Sequence, residues 1–541
     1  MNTPTFGTPG PDPRRPARIS EANGSSLRDL TQDVDALRRA AMDDGRPDAV
    51  TAQRKYGKFT ARERIDLLVD DGSFTEFGAL AQPANLAHGI GNPDGPGDGV
   101  IIGRGRIEGR PVSLVSYDFT VFGASMGSVN DQKFARARQF SLQNSVPLVM
   151  LVEGGGARIH ERMGSTTIRG HERFSDLSLL SGWVPIVSCV LGACYAGHAN
   201  LVALSDYSVM VEGSSLGMAG PRLAEMATGE KVSKEELGGP SLHAKEIGSI
   251  DAVAATEEEA ISRIVEYLAL FPSNSGQPAP RKPFSEPVGR LPDELLDLVP
   301  ESPNRAYDMR KVVDLILDEG SRFELRDQYA RNLITTLGRV GGHVIGIIAN
   351  NPMFLAGCLD SKASDKMAHF INLCDAYSIP LLFLSDVPGY LVGSAAEKTN
   401  IVRRSMRPLW ELGQSTTPIL TIIIRKAYGL AYHTMGGAEF HPALLVAWPS
   451  AQVSPMGARG AVNVVLGKDD SEVDTEEFER LVGEFRALEN PMVAARAFKV
   501  DDVIDPRDTR SKVFETLQLI SEMGHNSAHW RPPKKRGISP L

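Results

Sequence analysis

The feature that most constrains this chain is an internal repeat. Gly105-Arg106 and Gly109 recur as Gly338-Arg339 and Gly342, 233 residues further on. Lys133 and Lys366, Pro147 and Pro380, Pro185 and Pro418, and Tyr195 and Tyr428 keep that offset. Each pair also sits in matching company. Pro147 opens Leu-Val-Met-Leu-Val and Pro380 opens Leu-Leu-Phe-Leu-Ser; Pro185 opens Ile-Val-Ser-Cys-Val and Pro418 opens Ile-Leu-Thr-Ile-Ile-Ile. Upstream, Gly72-Ser73 and Gly320-Ser321 correspond at an offset of 248, so about fifteen residues, roughly 87–100, are extra in the first half. Isolated identities arise by chance, but matching apolar runs beside each of them do not. The chain reads as a duplicated domain, and whatever one half folds into, the other folds into as well.

Within each half, short apolar β-branched runs alternate with helical stretches such as residues 130–145 and 364–378. That alternation predicts an α/β fold of βαβ units with a mostly parallel sheet covered on both faces. Residues 1–24, rich in Pro, Gly and Arg, read as a flexible tail. The first domain then runs over 25–270 and the second over 305–541. Between them, residues 271–304 hold eight prolines, which no helix or central strand tolerates, and form the linker. Helical periodicity runs from Ser26 to about Asp44, and Thr60 with Glu63 makes a capping box ahead of Ile65, Leu67 and Leu68.

Composition closes off several classes. A net charge of −9 argues against nucleic acid, and only Arg531 to Arg536 is locally basic. No apolar run reaches the length of a membrane span and no signal-peptide core is present, so a cytoplasmic protein is expected. Cys189, Cys194, Cys358 and Cys374 lack the C-x-x-C spacing of a zinc ribbon, and no metal is expected.

Chemistry concentrates in small-residue turns that follow the apolar runs. The first half has Gly154-Gly155-Gly156-Ala157 and the stretch Gly192-Ala-Cys-Tyr-Ala-Gly197; the second has Pro388-Gly389 and Gly429-Leu-Ala431. At the carboxyl end of a strand, where a helix begins, free N–H groups can hold an oxyanion without any side chain. For one such turn alone, close packing explains the small residues as well. Equivalent turns in both halves favour the anion. Other motifs are missing: no dinucleotide or P-loop glycine pattern, and no G-x-S-x-G elbow. Cys194 reads as a small hydrophobe, and His525 with His529 lacks a third metal ligand. His160, His198 and His433 each lie near a candidate turn, where a hydrogen-bonded structural role is the commoner one.

Taken together, several stretches resemble one family. They are "GKFTARERIDLLVDDGSF", "PGDGVIIGRGRIEGRPV", "DFTVFGASMG", "GGGARIHE", "TGEKVSKEELGG", "SPNRAYDMR", "NNPMFLAGCLDSKASDK", "DVPGY", "IVRR", "RKAYGLAYHTMGG" and "PPKKRGISPL". The family is the carboxyltransferase (β) subunits of biotin-dependent acyl-CoA carboxylases, of the propionyl- and methylcrotonyl-CoA carboxylase kind. The resemblance implies two tandem crotonase-like domains, in agreement with the repeat. It also implies the activity: CO2 passes from carboxybiotin to the α carbon, or a vinylogous carbon, of an acyl-CoA through an enolate, with two oxyanions held by two backbone turns. The family's oxyanion pairs fall on Ala196-Gly197 and on Leu430-Ala431, each having lost its first glycine. By the same resemblance Gly155, Gly156, Ala157, Arg158, His198 and His433 contact the acyl-CoA, and Gly429 and Tyr432 the biotin. Biotin is expected on a separate biotinylated α subunit carrying the biotin carboxylase and carrier domains, since no A-M-K-M sequence occurs. The family assembles as a hexamer, a trimer of dimers. Two other functions compete: a CoA-dependent hydratase, isomerase or decarboxylase on the same scaffold, with Glu153 and Glu161 as its acids, and a non-catalytic partner subunit, favoured by the bulk of Leu430.

Overall fold

The computed structural model describes residues 26–84, 95–161, 173–285, 287–467, 474–523 and 538. The first half contributes β1 (Thr75–Phe77), β2 (Val100–Ile107), β3 (Arg110–Tyr117), β4 (Leu148–Gly154), β5 (Ile186–Tyr195), β6 (Tyr207–Val211), β7 (Ser215–Gly217) and β8 (Ala252–Ala254). The second contributes β9 (Phe323–Leu325), β10 (Leu333–Val340), β11 (His343–Asn350), β12 (Leu381–Val387), β13 (Ile419–Tyr428), β14 (Leu444–Ala447), β15 (Gln452–Ser454) and β16 (Asp502–Val503). The sheets run β1-β2-β3-β4-β5-β6-β8 and β9-β10-β11-β12-β13-β14-β16, with β7 on β5 and β15 on β13. One plan has been used twice.

The register makes the duplication quantitative. Val187 pairs with Tyr207 and Leu420 with Leu444, so the offset of 233 that holds from β2 to β5 becomes 237 at β6. Helices of unequal length before the last strand widen it to 250, between Ala252 and Asp502. Each sheet is mostly parallel, as expected, with an antiparallel edge: β1, β2 and β3 pair antiparallel, as do β9, β10 and β11. The reason lies in the repeated glycines. Glu108-Gly109 and Gly341-Gly342 all have positive φ, the two-residue turn that closes a tight antiparallel hairpin. Asp70 and Asp318 each accept both turn N–H groups, at 2.7–3.0 Å.

The expected capping box forms at Thr60, and a second, unanticipated one forms at Ser26 with Asp29. The two repeated helices lie at Ser128–Asn144 and Ser361–Ala376. Their surroundings differ. In Ser361–Ala376 every residue except Lys362 is buried, because the helix is enclosed by its own sheet, by helix Ile401–Gln414, whose Arg404 pairs with Asp365, and by the first half. Phe370 and Tyr377 share one apolar cluster with Tyr207, Tyr267 and Phe271. Tyr377 donates to Asp206 at 2.9 Å, and Arg326 pairs with Asp251 at 3.0 Å. The halves therefore pack as one body.

The proline-rich segment corrects one expectation. Five residues of helix, Glu294–Leu298, fit between Pro292 and Pro300, with Leu295 buried beneath them. Nor is the segment a free spacer. Arg425 donates to the carbonyls of Ser302 and Arg305, Lys426 to that of Pro303, and Arg339 to that of Pro280. Carbonyls that prolines leave without local partners are satisfied by the second half. No helix among the described residues is long and apolar enough to cross a membrane.

Candidate active site

A bulge sets up each turn. On β4 and β5 the pairing passes from Val152↔Val190 to Gly154↔Cys194, which strands Gly192 between them. Beyond it, the tip of β5 leaves β6 and pairs with β7. The strand thus peels away from the sheet and delivers Ala196-Gly197 above it. Helix Gly197–Ala203 starts there. β12 and β13 repeat the bulge, from Ser385↔Ile423 to Val387↔Ala427, and the tip of β13 pairs with β15. Tyrosines brace both tips: Tyr195 bonds to Ser215 at 2.6 Å, and Tyr428 to Gln452 and Glu489 at 3.0 and 3.2 Å.

Because the offset of 233 holds through this region, Ala196 corresponds to Gly429 and Gly197 to Leu430. The oxyanion pairs expected from the sequence were thus one residue out of step between the halves. Ala196 and Gly429 both have φ of 54°, and Ala196 has ψ of −121°, the first central position of a type II′ turn. Glycine adopts that conformation freely; alanine is strained in it. A Cβ on Gly429 would lie 2.8 Å from the Pro455 carbonyl oxygen, so alanine is excluded there by contact as well. The Ala196 N–H is already spent on the Gly217 carbonyl, at 3.0 Å. The equivalent donors are the N–H groups of Gly197, the first residue of its helix, and Leu430, the second of its own, positions at which a helix offers its N–H no partner of its own.

The other expected residues divide. Gly155, Gly156 and Ala157 follow β4, and a Cβ on Gly156 would lie 3.0 Å from that of Ala196, so the two first-half turns abut. Arg158 is buried and committed. It pairs with Asp98 at 2.5 Å and Glu161 at 2.7 Å, donates to the Ser125 carbonyl at 2.8 Å and lies over the Phe122 ring. Its guanidinium has no exposed face to offer a ligand, which corrects the expectation of substrate contact. With Asp98 and Glu161 it caps helix Ser128–Asn144: Asp98 accepts the Asn130 N–H at 2.7 Å and Glu161 that of Ser128 at 2.9 Å. His198 is fully buried, so direct substrate contact gives way to a place beneath the turn, where Nδ1 accepts the Gly156 N–H at 3.1 Å. Cys194 is buried and its thiol is pushed up by burial.

In the second half, Gly429, Leu430, Ala431, Tyr432 and His433 share helix Gly429–Thr434. The Leu430 side chain is 45% exposed, Ala431 is buried, and the Tyr432 hydroxyl accepts the Ala438 N–H at 3.3 Å. His433 is partly exposed, with Nδ1 3.5 Å from Glu439. Among the described residues no three His, Cys, Asp or Glu side chains are placed to hold a metal ion. The side chain of His160, and His525 and His529, lie outside the described residues.

Sequence reasoning singled out Glu153 only as the acid of a competing hydratase, and missed Asp386 and the ion pairs beneath the turns. Glu153 and Asp386 occupy equivalent buried positions. Glu153 pairs with Lys58 and with Arg64 at 3.0 Å, whereas Asp386 pairs with Arg425 at 3.0 Å. Arg425 stands where the first half has Gly192, and a Cβ at 192 would overlap Lys58 and Glu153. The cation is supplied either from the bulge itself or from outside, and the glycine makes room in the second case. The repeated lysines have a role as well. Lys366 donates to the carbonyls of Arg326, Tyr329 and Leu333 at 2.7–2.9 Å, and Lys133 to those of Gly97 and Val100. The offset of 233 between them could have flagged this, since both lysines sit at the same place in a repeated helix.

These features define a class: a duplicated α/β protein in which each sheet lifts one backbone turn to a helix start. Comparison with known proteins then fixes the family. The carboxyl transferase domain matches residues 52–537. The carboxyltransferase subunit of propionyl-CoA carboxylase from Haloferax mediterranei is 37% identical over 521 residues, 95% of this chain and 100% of that one. A biotin-dependent acetyl-/propionyl-coenzyme A carboxylase beta5 subunit from Mycobacterium leprae is 40% identical over 501 residues, 90% of each. Among solved structures, the transcarboxylase 12S hexamer, determined with methylmalonyl-coenzyme A and methylmalonic acid bound, matches with a TM-score of 0.87. It is 36% identical and covers 92% of this chain and 96% of that one. The chain belongs to the carboxyl transferase family.

Proposed function

We propose that this chain is the carboxyltransferase component of a biotin-dependent acyl-CoA carboxylase, moving CO2 from carboxybiotin on a separate carrier to the α carbon, or a vinylogous carbon, of an acyl-CoA. One observation carries the reading: Gly197 and Leu430 hold equivalent positions in the two halves of a crotonase-like duplication, each in the first turn of a helix, where backbone N–H groups lack partners within the helix. Two negatively charged oxygens need two such donors, and a preorganised donor is worth roughly 2.7–4 kcal/mol at a transition state. The first turn is assigned to the thioester enolate. The second fits the ureido oxygen of biotin, with Gly429 and Tyr432 beside it and Leu430 shaping the approach. Carboxybiotin, when bound, supplies the CO2 and a ureido nitrogen basic enough to take the α-proton. What the chain contributes is charge stabilisation and placement.

The competing hydratase needs carboxyl groups free to exchange protons. Glu153 is held by Arg64 and Lys58, and Glu161 by Arg158 and the Ser128 N–H. Burial of paired acids in this way removes them from proton transfer. Both halves expose large apolar side chains: Met218, Leu223 and Met226 in the first, Val392, Met456, Val464 and Val465 in the second. We place a second copy over them, so that the first half of one subunit faces the second half of another in a hexamer, in the cytoplasm. The test supplies purified protein with a biotinylated carrier, biotin carboxylase, ATP and labelled bicarbonate, and offers acetyl-, propionyl- and 3-methylcrotonyl-CoA. Acid-stable label in an acyl-CoA is expected. Hydration or decarboxylation without label, or no reaction with any ester, would overturn the reading.

A further inference from the structure

We infer that His198 is a positioning residue, which fixes the Gly154–Ala157 turn by accepting the Gly156 N–H so that this turn closes one wall of the enolate site. A backbone N–H can only donate, so the 3.1 Å contact requires a lone pair on Nδ1 and places the ring proton on Nε2. The Gly156 carbonyl is tied on its other side, accepting from Met126 at 2.9 Å. Both polar groups of that peptide segment are thus spoken for, and Gly156 is held against Ala196. The imidazole is seated in turn, fully buried with its ring edge-on to Tyr117, centroids 4.5 Å apart at 75°.

The second half shows what this arrangement replaces. Position 154 corresponds to Val387 and position 198 to Ala431, so a glycine–histidine pair in one half stands where the other has a valine–alanine pair. The exchange is steric. A Cβ on Gly154 would lie 2.5 Å from Cε1 and 2.6 Å from Nε2 of His198. Either pair fills the space beneath its turn, but only the first includes an acceptor for the turn's N–H. The second half keeps the backbone bond to this turn, from Leu359 to the Gly389 carbonyl at 3.0 Å, so the histidine adds a side-chain tether to an arrangement that packing and that bond support in the second half.

That contrast supplies the experiment. In His198→Ala the acceptor and the volume are both lost. The double variant Gly154→Val/His198→Ala rebuilds the packing of the second half without the acceptor. His198→Asn keeps an acceptor oxygen near the position of Nδ1. The inference rests on the carboxyltransferase reading for its kinetic arm only. In that arm kcat falls tenfold or more in His198→Ala and stays low in the double variant, KM for acyl-CoA moves less than threefold, and His198→Asn retains at least a third of wild-type kcat. Hydrogen exchange on peptides spanning residues 152–158 reads the tether without catalysis: protection is expected in wild type and His198→Asn and lost in the other two. A double variant that regains kcat or protection would show that packing is all the histidine provides. So would His198→Asn failing as badly as His198→Ala. A wild type that transfers no CO2 yet protects the Gly156 amide would sink the functional reading and leave the tether standing.

Discussion

Gly197 and Ala196 are neighbours with opposite demands. Gly197→Val places a branched side chain beside its own N–H, and turnover is expected to fall on the order of a hundredfold with the melting temperature little changed. Near-normal kcat would move the enolate elsewhere. Ala196→Gly should instead raise stability, since it releases an alanine from φ of 54° and ψ of −121°. A gain of about 1 kcal/mol by chemical denaturation is expected. The buried lysines make a pH prediction. Burial pushes Lys366 down to about 7 and Lys133 to about 8 from an ordinary 10.5, while the charge of Glu324 near the first and of Glu76 near the second opposes a larger shift. Between those values and 10.5 the unfolded chain holds protons that the folded chain lacks. Stability therefore rises with pH in that window, by up to about 1.4 kcal/mol per pH unit for each lysine, and this contribution is flat below about pH 7. Denaturant titrations from pH 6 to 9 should show the climb, and Lys366→Met should lessen its slope. An identical slope in the variant would mean that Lys366 keeps its proton throughout.

At the scale of elements, the bulge is the unit that matters. It turns a strand out of its sheet and opens a gap that a buried ion pair fills, Glu153 with Arg64 and Lys58 or Asp386 with Arg425. Arg425→Met leaves the buried Asp386 carboxylate with the Tyr307 hydroxyl and the Lys426 N–H as donors, and should cost about 3–5 kcal/mol. Denaturation of the variant checks this, and a loss under about 1 kcal/mol would show the pair to be dispensable. This device was partly legible in the sequence. Pro147, Pro185 and Tyr195 with their partners marked where the strands begin and where β5 and β13 end, because apolar runs and turn residues act locally. The Gly192/Arg425 exchange was not legible. Its meaning depends on Lys58 and Arg64, which come from a distant segment and reach the bulge only in the folded state. The same holds for Arg158, whose place in a glycine turn looks like a ligand contact until Asp98, sixty residues away, is seen to neutralise it.

For the whole molecule, the repeat specified two like sheets but not how they meet. The burial of helix Ser361–Ala376 against Tyr207, Tyr267 and Phe271 involves positions that carry no offset signature, since its counterpart Ser128–Asn144 has polar residues facing solvent. Each half holds one helix-opening turn, so a complete site requires surfaces from two halves. Sedimentation at micromolar concentration is expected to give a hexamer, with activity falling as dilution dissociates it. A stable, active monomer would end that expectation. The exchange at the bulge also limits how such a protein can be rebuilt. Grafting residues 381–431 over 148–198 would import Arg425 into a cavity already served by Lys58 and Arg64, leaving surplus positive charge in the interior. Grafting β12 alone over β4 would drive the Val387 side chain into the ring of His198. Recombination between the two copies is therefore selected against by their own interiors, and the copies are free to diverge while neither can stand in for the other.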